Sequence, residues 1–318
     1  MPEVWCAGLL VEDTFCGPLR GVPQPGSLVV LEDMPARAGG CAANVAVNLA
    51  HQGVQADVMG CLGEDAAAEV VRSAFHKRGI GCTHLSTITG LSTSRTVILL
   101  VNGEDRRYLH SVGANQMFTL DHIPRHLLVG LKVFYLGGLF ALPGINLIGL
   151  AELLAHCQSN GVTTVLDVVI PQDFSGMLQL KRLLPHVDVF VPNEDEARAL
   201  TARSDPIEQL KDFADAGSNT VIITRGRLGS VSKCGERVFR CDAYPVDVAD
   251  PSGSGDAFTA GVIRGLLNGW EFPHLLRYAS AVGASVNRSI GTTDSVFSAK
   301  EAEDFIANHR LSVIEEVL

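Results

Sequence analysis

The residues with the strongest chemical signature form the run Asp250-Pro251-Ser252-Gly253-Ser254-Gly255-Asp256-Ala257-Phe258. It follows a β-like run and opens a segment whose apolar residues Phe258, Val262 and Leu266 recur at helical spacing. Small residues at a helix N-terminus leave backbone N–H groups free, and together with the helix dipole they make an anion site. Asp256 falls in the first turn of that helix. Two readings of it stand: a carboxylate that stabilises the dipole, or a base beside an anion hole. The second suits phosphoryl transfer, in which amides stabilise the moving charge and a carboxylate takes the proton of a hydroxyl.

A second signal is Gly39-Gly40-Cys41-Ala42-Ala43-Asn44-Val45-Ala46. Two glycines before a small-residue helix let the backbone approach a ligand, and Asn44 offers both a donor and an acceptor. Tight helix–sheet packing with Asn44 as a local cap explains the same pattern. Asp13, at the end of the first β-like run, is a third candidate, because ligands of open α/β sheets bind outside the carboxyl ends of strands. A turn residue is the alternative there. Other nucleotide and hydrolase motifs are missing. There is no Gly-Lys pair to close a Walker A loop, and the third glycine of a dinucleotide fingerprint would fall on Phe258.

These residues need a frame. Short β-rich runs, Val4–Val11, Ala56–Cys61, Lys132–Leu136, Thr163–Val168, Val187–Val191 and Thr220–Thr224, alternate with amphipathic segments. The helical segments are Asp65–Lys77, Leu147–Ser159, Gly176–Leu184, Asn193–Leu200 and Pro206–Asp215. The alternation predicts a mostly parallel sheet covered on both faces. Gly229–Cys234 and Arg237–Cys241 read as a hairpin, and Asp256–Asn268, Pro273–Asn287 and Ala299–Asn308 as helices. Val133–Ala151 carries no charge over 19 residues, but its glycines and Pro143 make it a strand, a turn and a helix rather than a membrane span. Phe15–Arg37, with a β-rich core at Leu28–Leu31, and Ser92–Asn115, a hairpin, break the alternation and are expected to form a small β subdomain.

The 318-residue chain carries a formal charge of −10, which excludes a general nucleic-acid binder and requires any anionic ligand to be met by a local device. Glycine is abundant, 32 residues, as expected where turns approach a ligand closely. The eight cysteines (Cys6, Cys16, Cys41, Cys61, Cys82, Cys157, Cys234 and Cys241) include no C-x-x-C pair and read as thiols in a reducing compartment. The N-terminus has no basic segment of a signal peptide, so a cytoplasmic protein without membrane partners is expected.

Taken together, the two glycine-rich runs resemble the signatures of the PfkB family, the ribokinase-like carbohydrate kinases. Gly39-Gly40-x-x-x-Asn44 is similar to the first signature and Asp250-Pro-Ser-Gly-Ser-Gly-Asp256 to the second, D-T-x-G-A-G-D. Gly60-x-x-Gly63-x-Asp65, Asn193-x-x-Glu196 and Thr224-Arg225-Gly226-x-x-Gly229 follow in family order, and the resemblance spans about Val4 to Ala299. It implies one three-layer α/β/α kinase domain over residues 1–318, with a mostly parallel central sheet and a small β lid from about 15–37 and 92–115. It implies an ATP-dependent kinase of a small sugar or sugar acid that uses Mg²⁺, with K⁺ in many members.

The roles the resemblance implies are specific. Asp256 is the base, and Gly253, Ser254 and Gly255 the anion hole. Asp13, Gly39, Gly40 and Asn44 bind the sugar. Asn193, Thr224, Gly226, Gly229 and Asn287 lie along the ATP site. Glu196 helps place Mg²⁺, and Asp250, Ser252, Gly291 and Ser295 lie near a monovalent cation. The lid also implies a homodimer. Departures from the family pattern touch these roles. Pro251 lacks an N–H, which bears on the cation site, and Asp167-Val168-Val169-Ile170 lacks the arginine that would meet a phosphosugar. A nucleoside kinase would want aromatic stacking from Phe15, Tyr108 or Phe118. An acidic substrate would want lid arginines, Arg37, Arg95, Arg106 or Arg107, turned inward. A non-catalytic sugar or nucleotide sensor on the same scaffold is the rival of a different class.

Overall fold

The computed structural model describes residues 2–171, 174 and 176–317. The first half of the chain forms β1 (Val4–Gly8), β2 (Val11–Leu19), β3 (Ala36–Gly39), α1 (Cys41–His51), β4 (Ala56–Leu62), α2 (Ala66–His76), β5 (Gly81–Thr87), β6 (Ser94–Val101), β7 (Arg107–Ser111), β8 (Val133–Gly137), α3 (Leu147–Ser159) and β9 (Thr163–Leu166). The second half forms α4 (Met177–Leu180), β10 (Val189–Phe190), α5 (Glu194–Thr201), α6 (Pro206–Asp215), β11 (Thr220–Thr224), β12 (Ser230–Cys234), β13 (Arg237–Cys241), α7 (Ser254–Leu267), α8 (Phe272–Val286), α9 (Ala299–Asn308) and β14 (Val313–Val317).

Ten strands make one sheet in the order β14-β13-β12-β11-β10-β9-β8-β1-β4-β5, parallel from β5 to β11 and antiparallel beyond. All five residues of β1 are buried, as a central parallel strand covered on both faces requires. Its side chains alternate between two cores. Val4 and Cys6 face the layer with Val45 of α1, Phe75 of α2 and Ile263 of α7, while Trp5 and Ala7 face Leu153 of α3 and Phe213 of α6. Among the described residues no helix is long and apolar enough to cross a membrane. Val133–Ala151 divides into β8, a short 3-10 turn and the start of α3.

Strand order reverses between β1 and β8, and a crevice outside the carboxyl ends of strands opens at such a point. Gly8 and Gly137 end these strands in register. A Cβ on Gly8 would lie 2.2 Å from the Gly137 carbonyl oxygen, so the two chains close together only without side chains. Gly8 also has φ 133°, and there the chain turns out of the large sheet. The expected single strand Val4–Val11 is therefore wrong. It splits at Leu9–Leu10, and β2 enters a second sheet, of order β3-β2-β6-β7. Asp13 accordingly lies within β2, opposite Arg37 of β3, rather than at the end of the first strand.

Other expectations also need correction. Leu28–Leu31 is not a strand; Leu28 and Val30 are 87% and 85% exposed, and no neighbouring strand offers partners. Of Gly176–Leu184 only Met177–Leu180 is helical, and Pro185 follows closely. Two edge strands, β5 and β14, have too little apolar patterning to be read from sequence. The backbone ladder to β13 holds β14, with an exposed charge pair beside it, Arg240 Nε 3.1 Å from Glu316 Oε1.

Two polar clamps fix the small sheet to the large one. The Asn115 side chain, fully buried, accepts from Leu10 N (3.3 Å) and donates to Leu10 O (3.0 Å), which holds the turn between β1 and β2. Asp65 caps α2 by accepting from Ala68 N (3.0 Å) and also accepts from the Thr93 hydroxyl (2.7 Å) and Thr93 N (3.0 Å) at the start of β6. Gly63 must be glycine beside it, since a Cβ would meet the Leu91 carbonyl oxygen at 2.3 Å. The Gly60-x-x-Gly63-x-Asp65 run thus anchors the small sheet.

Candidate active site

Helix α7 starts at Gly253, which has φ 80° and forms a left-handed N-cap. The Ala257 N–H closes the first turn on the Gly253 carbonyl at 2.9 Å, and the Ser254 N–H makes only a long contact with Pro251 O, 3.4 Å. A helix supplies no partner for the amides of its first turn, so those of Gly255 and Asp256 face outward. Nothing lies within 4 Å of a Cβ placed on Gly255, which opens onto space, whereas one on Gly253 would meet the Thr292 carbonyl oxygen at 2.3 Å.

Asp256 meets the other glycine signature. Asn44 Nδ2 donates to Asp256 Oδ2 at 2.8 Å, and Asn44 Oδ1 accepts from the Thr292 hydroxyl at 2.9 Å. An ionised carboxylate can only accept, so the bond to Asp256 fixes which way the amide points. Gly40, with φ 87°, begins α1 and lets it turn inward; a Cβ there would strike the Leu9 carbonyl oxygen at 2.5 Å. A Cβ on Gly39 would lie 1.8 Å from Asp13 Oδ2, so Gly39 is what leaves room for that carboxylate. Asp13 is 6% exposed. Burial, with the charges of Asp256, Glu12 and Asp250, raises its pKa to about 7 against the opposing Thr96 hydrogen bond. Asp256 is likewise raised to about 7, by burial first and by Asp167 second, with Asn44 and Cys41 working the other way.

Thr224, Gly226, Gly229, Ser254, Gly255 and Asn287 line one cleft of about 1040 Å³. Gly229 has φ 78°, and a Cβ on it would come within 1.9 Å of the Cys241 carbonyl oxygen. Asn287 caps α8, and its Oδ1 is buried with no partner among the described residues. Asn193 bridges to Thr224 across the ends of β10 and β11, but it and Glu196 line a second, smaller cleft. They form a capping box on α5, Asn193 Oδ1 accepting from Glu196 N (2.9 Å) and Glu196 Oε2 from Asn193 N (2.8 Å).

Of the residues expected near a monovalent cation, Asp250 is fully buried and accepts from Ser252 N (2.9 Å) and Gly291 N (3.2 Å). The Ser252 hydroxyl is buried with no partner among the described residues. Ser295 stands apart, its hydroxyl donating to the carbonyls of Ser285 (2.8 Å) and Val286 (2.9 Å).

Sequence reasoning missed a cluster. Ligand atoms of Cys41, Asp167 and Asp256 lie within 4.8 Å of one another, and Tyr135 donates to Asp167 Oδ2 at 3.2 Å. Asp167 is raised to about 7 by burial. Burial, then the Asp167 charge, pushes Glu196 well above the usual carboxylate range. Asp167 follows β9, so the rule that ligands lie at strand carboxyl ends, applied to Asp13, would have found it too. Cys41 had no such signal beyond its place in the glycine signature.

The pfkB family carbohydrate kinase model matches residues 8–299. Among curated relatives, a ribokinase of Haemophilus influenzae is 27% identical over 89% of this chain and 92% of its own. An adenosine kinase of Saccharomyces cerevisiae is 28% identical over 73% and 72%. The solved Arabidopsis thaliana ribokinase, complexed with ribose and ATP, superposes with a TM-score of 0.81 at 22% identity, covering 96% of this chain and 98% of that one. With both glycine signatures in place around Asp256, the chain belongs to the pfkB family of carbohydrate kinases, ATP-dependent enzymes on the ribokinase-like fold.

Proposed function

We propose that this chain transfers the γ-phosphoryl group of ATP to a hydroxyl of a small neutral sugar, with Asp256 as base. The observation that carries this reading is the Asn44–Asp256 hydrogen bond of 2.8 Å, which joins the two signatures at one point. It occupies one carboxylate oxygen and leaves the other to take the proton of the hydroxyl. The sugar oxygen, its proton passed to the carboxylate, then bonds to phosphorus as the bond from phosphorus to the ADP oxygen breaks. Asp13, beside Gly39, accepts hydrogen bonds from the sugar. The amides of Gly255 and Asp256, with Ser254, meet the transferring charge, and the cleft beyond them holds ATP along Thr224, Gly226, Gly229 and Asn287.

Asp167 and Glu196 fit Mg²⁺: two half-buried carboxylates, the charge of Asp167 pushing Glu196 upward and Asp256 close to Asp167, a crowding that a divalent cation would relieve. Such an ion, when bound, neutralises phosphate charge. Asp250, Ser252 and Gly291 fit K⁺ through the Asp250 carboxylate, to which the amides of Ser252 and Gly291 donate, and the buried Ser252 hydroxyl, which has no partner among the described residues. Asn193 and Ser295 serve as helix-end residues in this reading. The residues form one kinase domain, and the small sheet is its lid. Strand β7, at the sheet edge with Tyr108 and Leu109 51% and 65% exposed, is the homodimer contact. Eight free thiols suit a reducing cytoplasm.

The neutral-sugar reading rests on two further observations. Arg37 is paired with Asp294 (3.0 Å) and Arg95 with Asp65 (3.3 Å) and Glu12 (3.7 Å), so these lid arginines are already partnered by carboxylates. Phe15 and Phe118 are packed into the interior at 1% and 0% exposure, which removes two of the three aromatic groups that could stack on a nucleobase. An ADP-release panel of aldoses, ketoses, sugar acids and nucleosides tests this directly. A neutral sugar gives the highest kcat/KM. Nucleosides leading the panel would reassign the substrate, and thermal stabilisation by sugars without any ADP release would make the chain a sensor.

Asp13 and Asp256 must both be ionised to act, and both are raised to about 7. The expected kcat/KM for sugar therefore climbs as pH rises through about 7 and levels off above it. A profile that is flat between pH 6 and 8 would refute these roles.

A further inference from the structure

The tip of the β6–β7 hairpin reaches the ATP cleft. Asp105 forms part of its wall, as do Ser254 and Gly255 at the start of α7. The next residue, Arg106, is bracketed on both sides. Its Nη1 lies 3.1 Å from Asp105 Oδ1, and its Nε donates to the Tyr108 hydroxyl. Its guanidinium carbon stands 5.7 Å from the centroid of the Tyr108 ring. Only 26% of the Arg106 side chain is exposed, against 48% for Arg107, which pairs outward with Glu104. An arginine held against a cleft-wall carboxylate has one ready alternative partner, an oxyanion entering the cleft.

We propose that Arg106 is a phosphate-binding residue delivered by the small sheet: with ATP in the cleft its guanidinium leaves Asp105 and binds the phosphates. The inference rests on the reading of the cleft as the ATP site. Five donors in a planar fork suit phosphate oxygens, and the exchange swaps one carboxylate for a more highly charged group. It also adds a second cation to the one that Arg227 places in the cleft wall, in a chain of net charge −10. Asp105 holds the arginine in place while the cleft is empty. The hairpin thereby senses nucleotide.

Three variants separate this role from a purely structural ion pair, because breaking the pair from either end has opposite consequences. Arg106→Gln loses about ten- to a hundredfold in kcat/KM for ATP, the range of a hydrogen bond to a charged group, while KM for sugar at saturating ATP stays within about twofold. Arg106→Lys recovers part of the loss. Asp105→Ala frees the arginine and keeps or improves kcat/KM for ATP. If Asp105→Ala and Arg106→Gln fall together, the pair is structural and the proposal is overturned; it is overturned equally if Arg106→Gln matches wild type. Calorimetry of ATP binding to the wild-type chain distinguishes the deeper failure. No binding there removes the ATP-site reading itself, and the inference with it.

Discussion

Asp256→Asn is expected to cut kcat by about 10³-fold, the central part of the range for losing a general base, while ATP affinity stays within about threefold of wild type. The substitution keeps shape and keeps a partner for Asn44, so the loss isolates proton transfer. The same variant should be more stable than wild type at neutral pH. Asp256 titrates near 7 in the folded chain against an ordinary 3.8, so between those values the folded state holds a proton that the unfolded state has released. Stability from this group is therefore present at low pH and declines as pH rises from about 4 to about 7. Urea midpoints of wild type and Asp256→Asn at pH 5 and pH 8 measure this. The variant gains on wild type at pH 8. A variant with near-normal kcat would remove Asp256 from its role as base, and one equally stable relative to wild type at both pH values would contradict the burial of its charge.

The second large effect separates two glycines one residue apart from each other. Gly253→Ala forces a Cβ into a left-handed turn, at about 1–2 kcal/mol, and against the Thr292 carbonyl oxygen at 2.3 Å, which costs about as much again. Thr292 also orients Asn44, so the distortion reaches the base. Both Tm and turnover fall, the former by about 5 °C or more. Gly255→Ala behaves differently. Its Cβ meets nothing, and an alanine in a helix gains about 0.5–1 kcal/mol over glycine, so Tm holds or rises. The methyl instead enters the space where phosphate oxygens approach the amides, and kcat/KM for ATP drops by about 10²-fold or more. Thermal melts beside steady-state kinetics check both. Loss of stability in Gly255→Ala, or full activity in Gly253→Ala, would mean that the helix start is not the anion hole.

Both predictions start from glycines and carboxylates that could be picked out of the bare chain. What marked them as candidates was local: small residues at a helix start leave amides free whatever the rest of the fold does. The alternation of apolar runs likewise announced the parallel sheet, because a strand buried on both faces has no polar positions. Elements failed where that logic weakens. Edge strands β5 and β14 need few apolar residues, and Leu28–Leu31 has the residues of a strand but no neighbour to pair with. The run Val4–Val11 looked continuous because periodicity cannot register that Gly8 turns the chain into another sheet.

The sequence by itself thus determined the family and the layers of the fold and singled out Asp256 for the role of base proposed above, since these depend on short-range patterns of size, charge and hydrogen-bonding capacity. Tertiary structure decided which groups face one another. It put Asn44 on Asp256 across 212 positions of chain, gathered Asp167 and Cys41 beside them, and set Asn193 and Glu196 as a helix cap. It also paired Arg37 and Arg95 of the small sheet with carboxylates and brought Asp105, the partner of Arg106, to the cleft wall. The physical reason is that charge interactions and desolvation depend on distances in space, and only the packing of the two sheets sets those distances.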